Sequence, residues 1–72
     1  MKLVNCKVGT KVQVKGSQKA SPNLRFESSF LAQVCTIVSL PDSDGDVRIT
    51  RTDGTLDIGH HTNIRKYKGD TA

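Results

Sequence analysis

Apolar residues recur at every second position along most of this 72-residue chain, and that spacing limits its fold more than any other feature. A strand turns successive side chains to opposite faces, so a period of two builds a sheet with one buried face; a helix needs spacings of three and four. Val8, Val12 and Val14 flank Lys11, Gln13 and Lys15, which predicts a half-buried strand over residues 8–15 with a basic outer face. The most apolar run is residues 31–40, LAQVCTIVSL, where the β-branched Val34, Thr36, Ile37 and Val38 favour a strand over a helix. Neither of its faces is purely polar, which suits a central strand carrying a bend or bulge. Val47 and Ile49 alternate with Arg48 and Thr50 in a third strand, Leu56 and Ile58 flank Asp57 in a short fourth, and residues 64–68 make a fifth.

The punctuation agrees. Residues 16–23, GSQKASPN, read as a polar loop, Pro41 ends the second strand, and DSDGD supplies a turn. Asp53-Gly54 is the strongest hairpin signal in the chain. Residues 24–30 fit either a loop or a short helical turn from which Phe26 and Phe30 dip into the core. A chain of this size buries only about 60% of its unfolded surface, so every strand must share one core and little is left for a deep substrate pocket. The expected fold is all-β: a single small five-stranded barrel over residues 8–68, whose closure removes most exposed edges. Residues 1–7 form a lead-in, residues 69–72 a frayed tail, and residues 59–63 a short turn, suited to a 3-10 helix, before the last strand.

The stretches Val8-Gly9-Thr10-Lys11-Val12-Gln13-Val14, Ala32-x-Val34 leading to Ile37-Val38-Ser39, Asp46-Val47-Arg48-Ile49, Asp53-Gly54 and Asn63-Ile64-Arg65-Lys66 together resemble an SH3-like β-barrel. The pattern is similar to mind-bomb-type repeats and to small SH3-like proteins encoded by phages and other mobile elements. It rests on turn glycines, core valines and the Asn before the last strand, so it carries fold rather than chemistry. On the phage side the resemblance implies a non-enzymatic accessory protein that docks on a host protein, modulates it, and resides in the host cytoplasm. Type II dihydrofolate reductases are also SH3-like barrels, but their Val-Gln-Ile-Tyr pore segment has no counterpart in Leu56-Asp57-Ile58-Gly59.

Most motifs that suggest chemistry have a plainer reading. Asp42, Asp44 and Asp46 alternate like the start of a calcium loop, yet Val47 stands where that loop needs Gly and strands flank the run. A solvated hairpin tip is the reading adopted. His60 and His61, as neighbours in extended chain, should point to opposite faces and cannot readily share one metal. Cys6 and Cys35 form no Cys-x-x-Cys array and read as reduced, partly buried thiols. Cys35 or Ser28 and Ser29 could serve as a nucleophile only beside an oriented base, and nothing marks one. No catalytic residue, metal or cofactor is expected. No run approaches the ~20 apolar residues of a membrane span, and Lys2, Asn5 and Lys7 interrupt the start of the chain, so a cytoplasmic protein without a membrane partner is expected.

Binding remains. The chain has no Trp, and its only Phe and Tyr residues are Phe26, Phe30 and Tyr67, too few for a proline-peptide groove or an aromatic cage, and the same shortage weakens the case for base stacking on a single-stranded platform. The first expectation is therefore a protein partner met by Arg25 and Phe26 of the long loop region and by the acidic tip Asp42, Asp44 and Asp46. The alternative is nucleic acid. Lys and Arg total 11 against 7 Asp and Glu, a net +4. The candidate cations are Lys11, Lys15, Lys19, Arg48, Arg65, Lys66 and Lys68; because the first and last strands of a barrel lie close together, Lys11, Lys15, Arg65 and Lys68 could share a face and contact duplex phosphates without reading sequence. The competing reading is a scattered, solvated charge. A monomer or small homo-oligomer fits either case.

Overall fold

In the computed structural model, which describes residues 1–18 and 24–67, the expected strand order appears in full. Strands β1 (Lys11–Val14), β2 (Val34–Ile37), β3 (Asp46–Thr50), β4 (Leu56–His60) and β5 (Ile64–Lys66) form one antiparallel sheet in the order β4-β3-β2-β1-β5. The register follows from the alternation. Ile37 stands opposite Ile49, Val12 opposite Cys35, and Val14 opposite Ile64, so the apolar set of each strand meets the next on one face. Sliding any strand by one residue would turn that set to water. The core is small: Cys6, Val12, Val14, Phe26, Phe30, Cys35, Ile37, Val47, Ile49 and Ile64 are its buried apolar members.

The two hairpin loops share one build. Gly45 N–H donates to Asp42 O and Asp42 N–H to Asp46 O; Gly54 N–H donates to Arg51 O and Arg51 N–H to Thr55 O. Each glycine sits in the left-handed region, at φ +83° and +89°, which is what a type I turn ending in a bulge requires of a hairpin loop.

Several expectations shift at the edges. The first strand begins at Lys11 rather than residue 8, and Val8 is exposed. Within the run 31–40 only Val34–Ile37 is strand. Leu31 makes an isolated bridge to Val14, and Ala32 takes φ +63°, a kink that splits the run. A Cβ in that region costs about 1–2 kcal/mol, part of which glycine returns through its looser unfolded state. Ala32→Gly is therefore expected to stabilise the domain by about 0.5 kcal/mol, read as a rise of a few degrees in thermal midpoint; an unchanged or lower midpoint would contradict this.

The sheet does not close. β4 and β5 are its two ends, joined through the 3-10 turn His61–Asn63, and no ladder pairs them among the described residues. Other parts of the chain cover each end instead. Along β4, His60 N–H donates to Leu24 O and Asp57 Oδ2 accepts from Glu27 N–H. Asn63 is buried and its Nδ2 donates to the same Leu24 carbonyl at 2.9 Å, while Gln18 grips Phe26 through both main-chain groups. These bonds hold residues 24–27 extended over β4, and Ser28–Phe30 then forms a 3-10 turn. Along β5, the Met1 amino nitrogen donates to Ile64 O at 2.7 Å. Among the described residues no helix is long and apolar enough to cross a membrane.

Candidate nucleic-acid interface

β1 and β5 are the strands whose outward faces carry cations. Gln13 stands opposite Arg65, Tyr67 N–H donates to Lys11 O, and Lys15 N–H donates to Asn63 O, both at 2.9 Å. Because Val12 and Val14 face the core, alternation sends Lys11, Gln13 and Lys15 outward, beside Arg65 and Tyr67.

The second wall comes from the lead-in, which is docked. Asn5 N–H donates to Lys2 O in the 3-10 turn Leu3–Asn5, and the Cys6 side chain enters the core. His61 Nδ1 lies 2.7 Å from Met1 O; a carbonyl only accepts, so this ring nitrogen carries the proton. Held at both points, residues 1–7 run beside β5 and leave an open groove of about 890 Å³ between themselves and the β1–β5 edge.

Five of the ten groove residues are cationic, namely Lys2, Lys7, Lys15, Arg65 and Lys66, and none is Asp or Glu. Asn5, Thr10, Gln13 and Tyr67 supply uncharged donors, acceptors and one ring. The concentration of charge is felt by the Met1 amino group, whose pKa is lowered by burial first and by the Lys15 ammonium second. The described carboxylates lie elsewhere, on β3, β4, their loops and Glu27, and several are already engaged. Asp42 Oδ1 accepts from the N–H groups of Asp44 and Asp46, Asp53 pairs with Arg51 at 3.0 Å, and Asp57 accepts from Glu27 and Ile58 N–H.

Of the cations expected to meet phosphate, the groove gathers Lys15, Arg65 and Lys66. Lys11 shares the outward face but turns toward β2, its Nζ donating to Thr36 Oγ1 at 2.9 Å. Arg48 is exposed on β3, separated from β1 by β2. Lys19 and Lys68 lie outside the described residues. Sequence reasoning missed Lys2, Lys7 and Tyr67. The alternation of Tyr67 with Arg65 was a usable signal for the tyrosine, whereas the two lysines depend on how the lead-in docks.

The protein-contact set changes more. Phe26 is not a surface residue: it is 3% exposed, and its ring lies so close to Gly59 that a Cβ there would come within 2.6 Å of it. Phe30 is buried as well, with the Arg51 guanidinium 5.1 Å from its ring centre. Arg25 is exposed. Asp42, Asp44 and Asp46 bring one oxygen each within 4.8 Å of one another, an arrangement explained by the turn hydrogen bonds to Asp42. The histidines do not diverge, since the chain leaves the extended conformation at His61; the rings lie 4.5 Å apart, and His60 Nδ1 accepts from Thr62 N–H. Cys6 and Cys35 are free thiols that donate to Lys2 O and Gln33 O, and burial raises both thiol pKa values.

Compared with known proteins, the chain matches no protein-family profile, no curated protein and no solved structure.

Proposed function

We propose that this protein is a small nucleic-acid-binding module that holds a phosphate backbone in the groove beside β5, on a sheet of SH3-like build. The observation that carries the reading is the composition of the groove: five cationic side chains on two walls, with no carboxylate among the residues lining it. Gathered cations facing a low-dielectric wall focus the field and displace condensed counterions from a polyanion. Support for the SH3-like build comes from β1 lying between β2 and β5 and from the 3-10 turn between β4 and β5.

Each phosphate contact contributes about 0.7–0.9 to the slope of log K against log salt. Five such contacts would weaken binding roughly 100- to 500-fold between 50 and 200 mM salt. A gel-shift series on mixed-sequence DNA and RNA reads this directly. No retarded species at the lowest salt, or affinity indifferent to salt, would remove the proposal.

One observation favours a second reading, docking on a protein. Val38, Leu40 and Leu56 are exposed. Continuing the register of the β2–β3–β4 ladders puts Val38, Arg48 and Ile58 in one outward row. Co-purification of one stoichiometric protein, unchanged by nuclease and lost on Val38→Asp, is the result this reading expects.

A further inference from the structure

From the groove's shape and its one ring we infer that the ligand is a single strand of nucleic acid, with Tyr67 as the platform on which a base stacks. The inference rests on the nucleic-acid reading above and deepens it. Two observations carry it. The first is concavity: two parts of the chain line the groove, with Lys2 and Lys7 on the lead-in, Lys15 directly after β1 and Arg65 on β5. A strand threaded between them exposes its phosphates to both. A duplex carries its phosphates on the rim of a wide rod, so it would meet one of them only.

The second is the sorting of the aromatics. Phe26 and Phe30 are consumed by the core, and Tyr67, half-buried, lines the groove. It is held there by alternation with Arg65 on β5 and by its N–H bond to Lys11 O. Bases of a single strand are free to splay and lay a π-face on such a ring, while bases inside a duplex are already stacked. Asn5 and Gln13, also in the lining, offer amides that can both donate to and accept from a base edge.

The chain contains one Tyr and no Trp, so its intrinsic fluorescence reports on Tyr67 alone. Titration of the full chain at low salt with oligo(dT), oligo(U) and a hairpin duplex of equal charge is the test; the first two arms distinguish DNA from RNA. Expected are quenching of Tyr67 emission by a single strand, single-strand affinity exceeding that for duplex, and a loss of about tenfold or more for Tyr67→Leu on single strands alone. Tyr67→Phe, which keeps a ring, should bind as the parent does. Duplex bound more tightly than single strands, or Tyr67→Leu binding single strands undiminished while circular dichroism shows it folded, overturns the inference. If the Tyr67 variants are silent but charge reversal in the groove still weakens binding, stacking falls and the nucleic-acid reading stands. If no nucleic acid binds at all, both fall.

Discussion

Reversing Lys15 and Arg65 together to glutamate is expected to collapse both the affinity for single-stranded nucleic acid and its salt dependence. Both line the groove, Lys15 directly after β1 and Arg65 on the neighbouring β5. With five cations engaging a single strand, affinity should fall about 130-fold between 50 and 200 mM salt at ~0.7 per contact. With two contacts gone the same salt step should cost only about 20-fold. Absolute affinity at low salt should fall further than two lost contacts require, because each new carboxylate repels phosphate inside a groove that now has none. Gel shifts at four or five salt concentrations measure both quantities. The matched control is Arg48→Glu with Lys11→Glu, the same change of charge placed outside the groove. Equal losses from the two pairs would mean that net charge, not the groove, drives binding. That result would sink the assignment of the site.

Gly59→Ala is expected to destabilise the domain strongly for a single added methyl. Gly59 is buried on β4 opposite Val47, and an added Cβ would lie 2.6–2.7 Å from three atoms of the Phe26 ring. The ring cannot retreat cheaply. Gln18 holds both main-chain groups of Phe26 at 2.7 and 3.1 Å, and the residues around it are tied to β4 through Leu24 O and Glu27 N–H. Overpacking of this kind costs about 1–3 kcal/mol, against a total stability of about 4–11 kcal/mol for 72 residues. The thermal midpoint should drop by roughly 5–20 °C. Since Gly59 does not have positive φ, the loss is steric, and shrinking the partner should recover part of it. Gly59→Ala with Phe26→Leu is expected to be more stable than the sum of the two single changes. Additive losses, or a Gly59→Ala midpoint equal to the parent's, would show that Phe26 does not pack on that glycine.

How far the sequence reached differs between fold and site. Strand identity was legible at Val12 and Val14, Val47 and Ile49, and Asp53-Gly54, because period-two burial and turn chemistry are local properties. In residues 31–40 a bend or bulge was expected from the lack of a purely polar face, but not its place, since an Ala at φ +63° leaves no mark in composition. For Phe26 the sequence offered both core and contact patch, and only the core half holds; residues 24–30 have no period of their own to decide it, and their course is dictated by Gln18, Asp57 and Asn63. For the site, Lys15 and Arg65 followed from expecting the first and last strands to be neighbours, and Lys66 from its place on the last strand. Lys2 and Lys7 could not follow, because the lead-in is placed by the bond from Met1 to Ile64 and by His61 beside Met1 O.

By itself the sequence determined that this chain is a β protein, where its hairpins turn, and that it carries a surplus of positive charge. All three are written in nearest-neighbour terms: side-chain alternation, the φ a turn demands, and the count of ionised groups. Only the tertiary structure decided that the sheet's ends are covered by loops rather than joined to each other. It alone gathered five of the 11 cations into one groove with the chain's one tyrosine. Those outcomes depend on hydrogen bonds between residues as many as 63 positions apart, and no local pattern encodes which distant carbonyl a given donor will find.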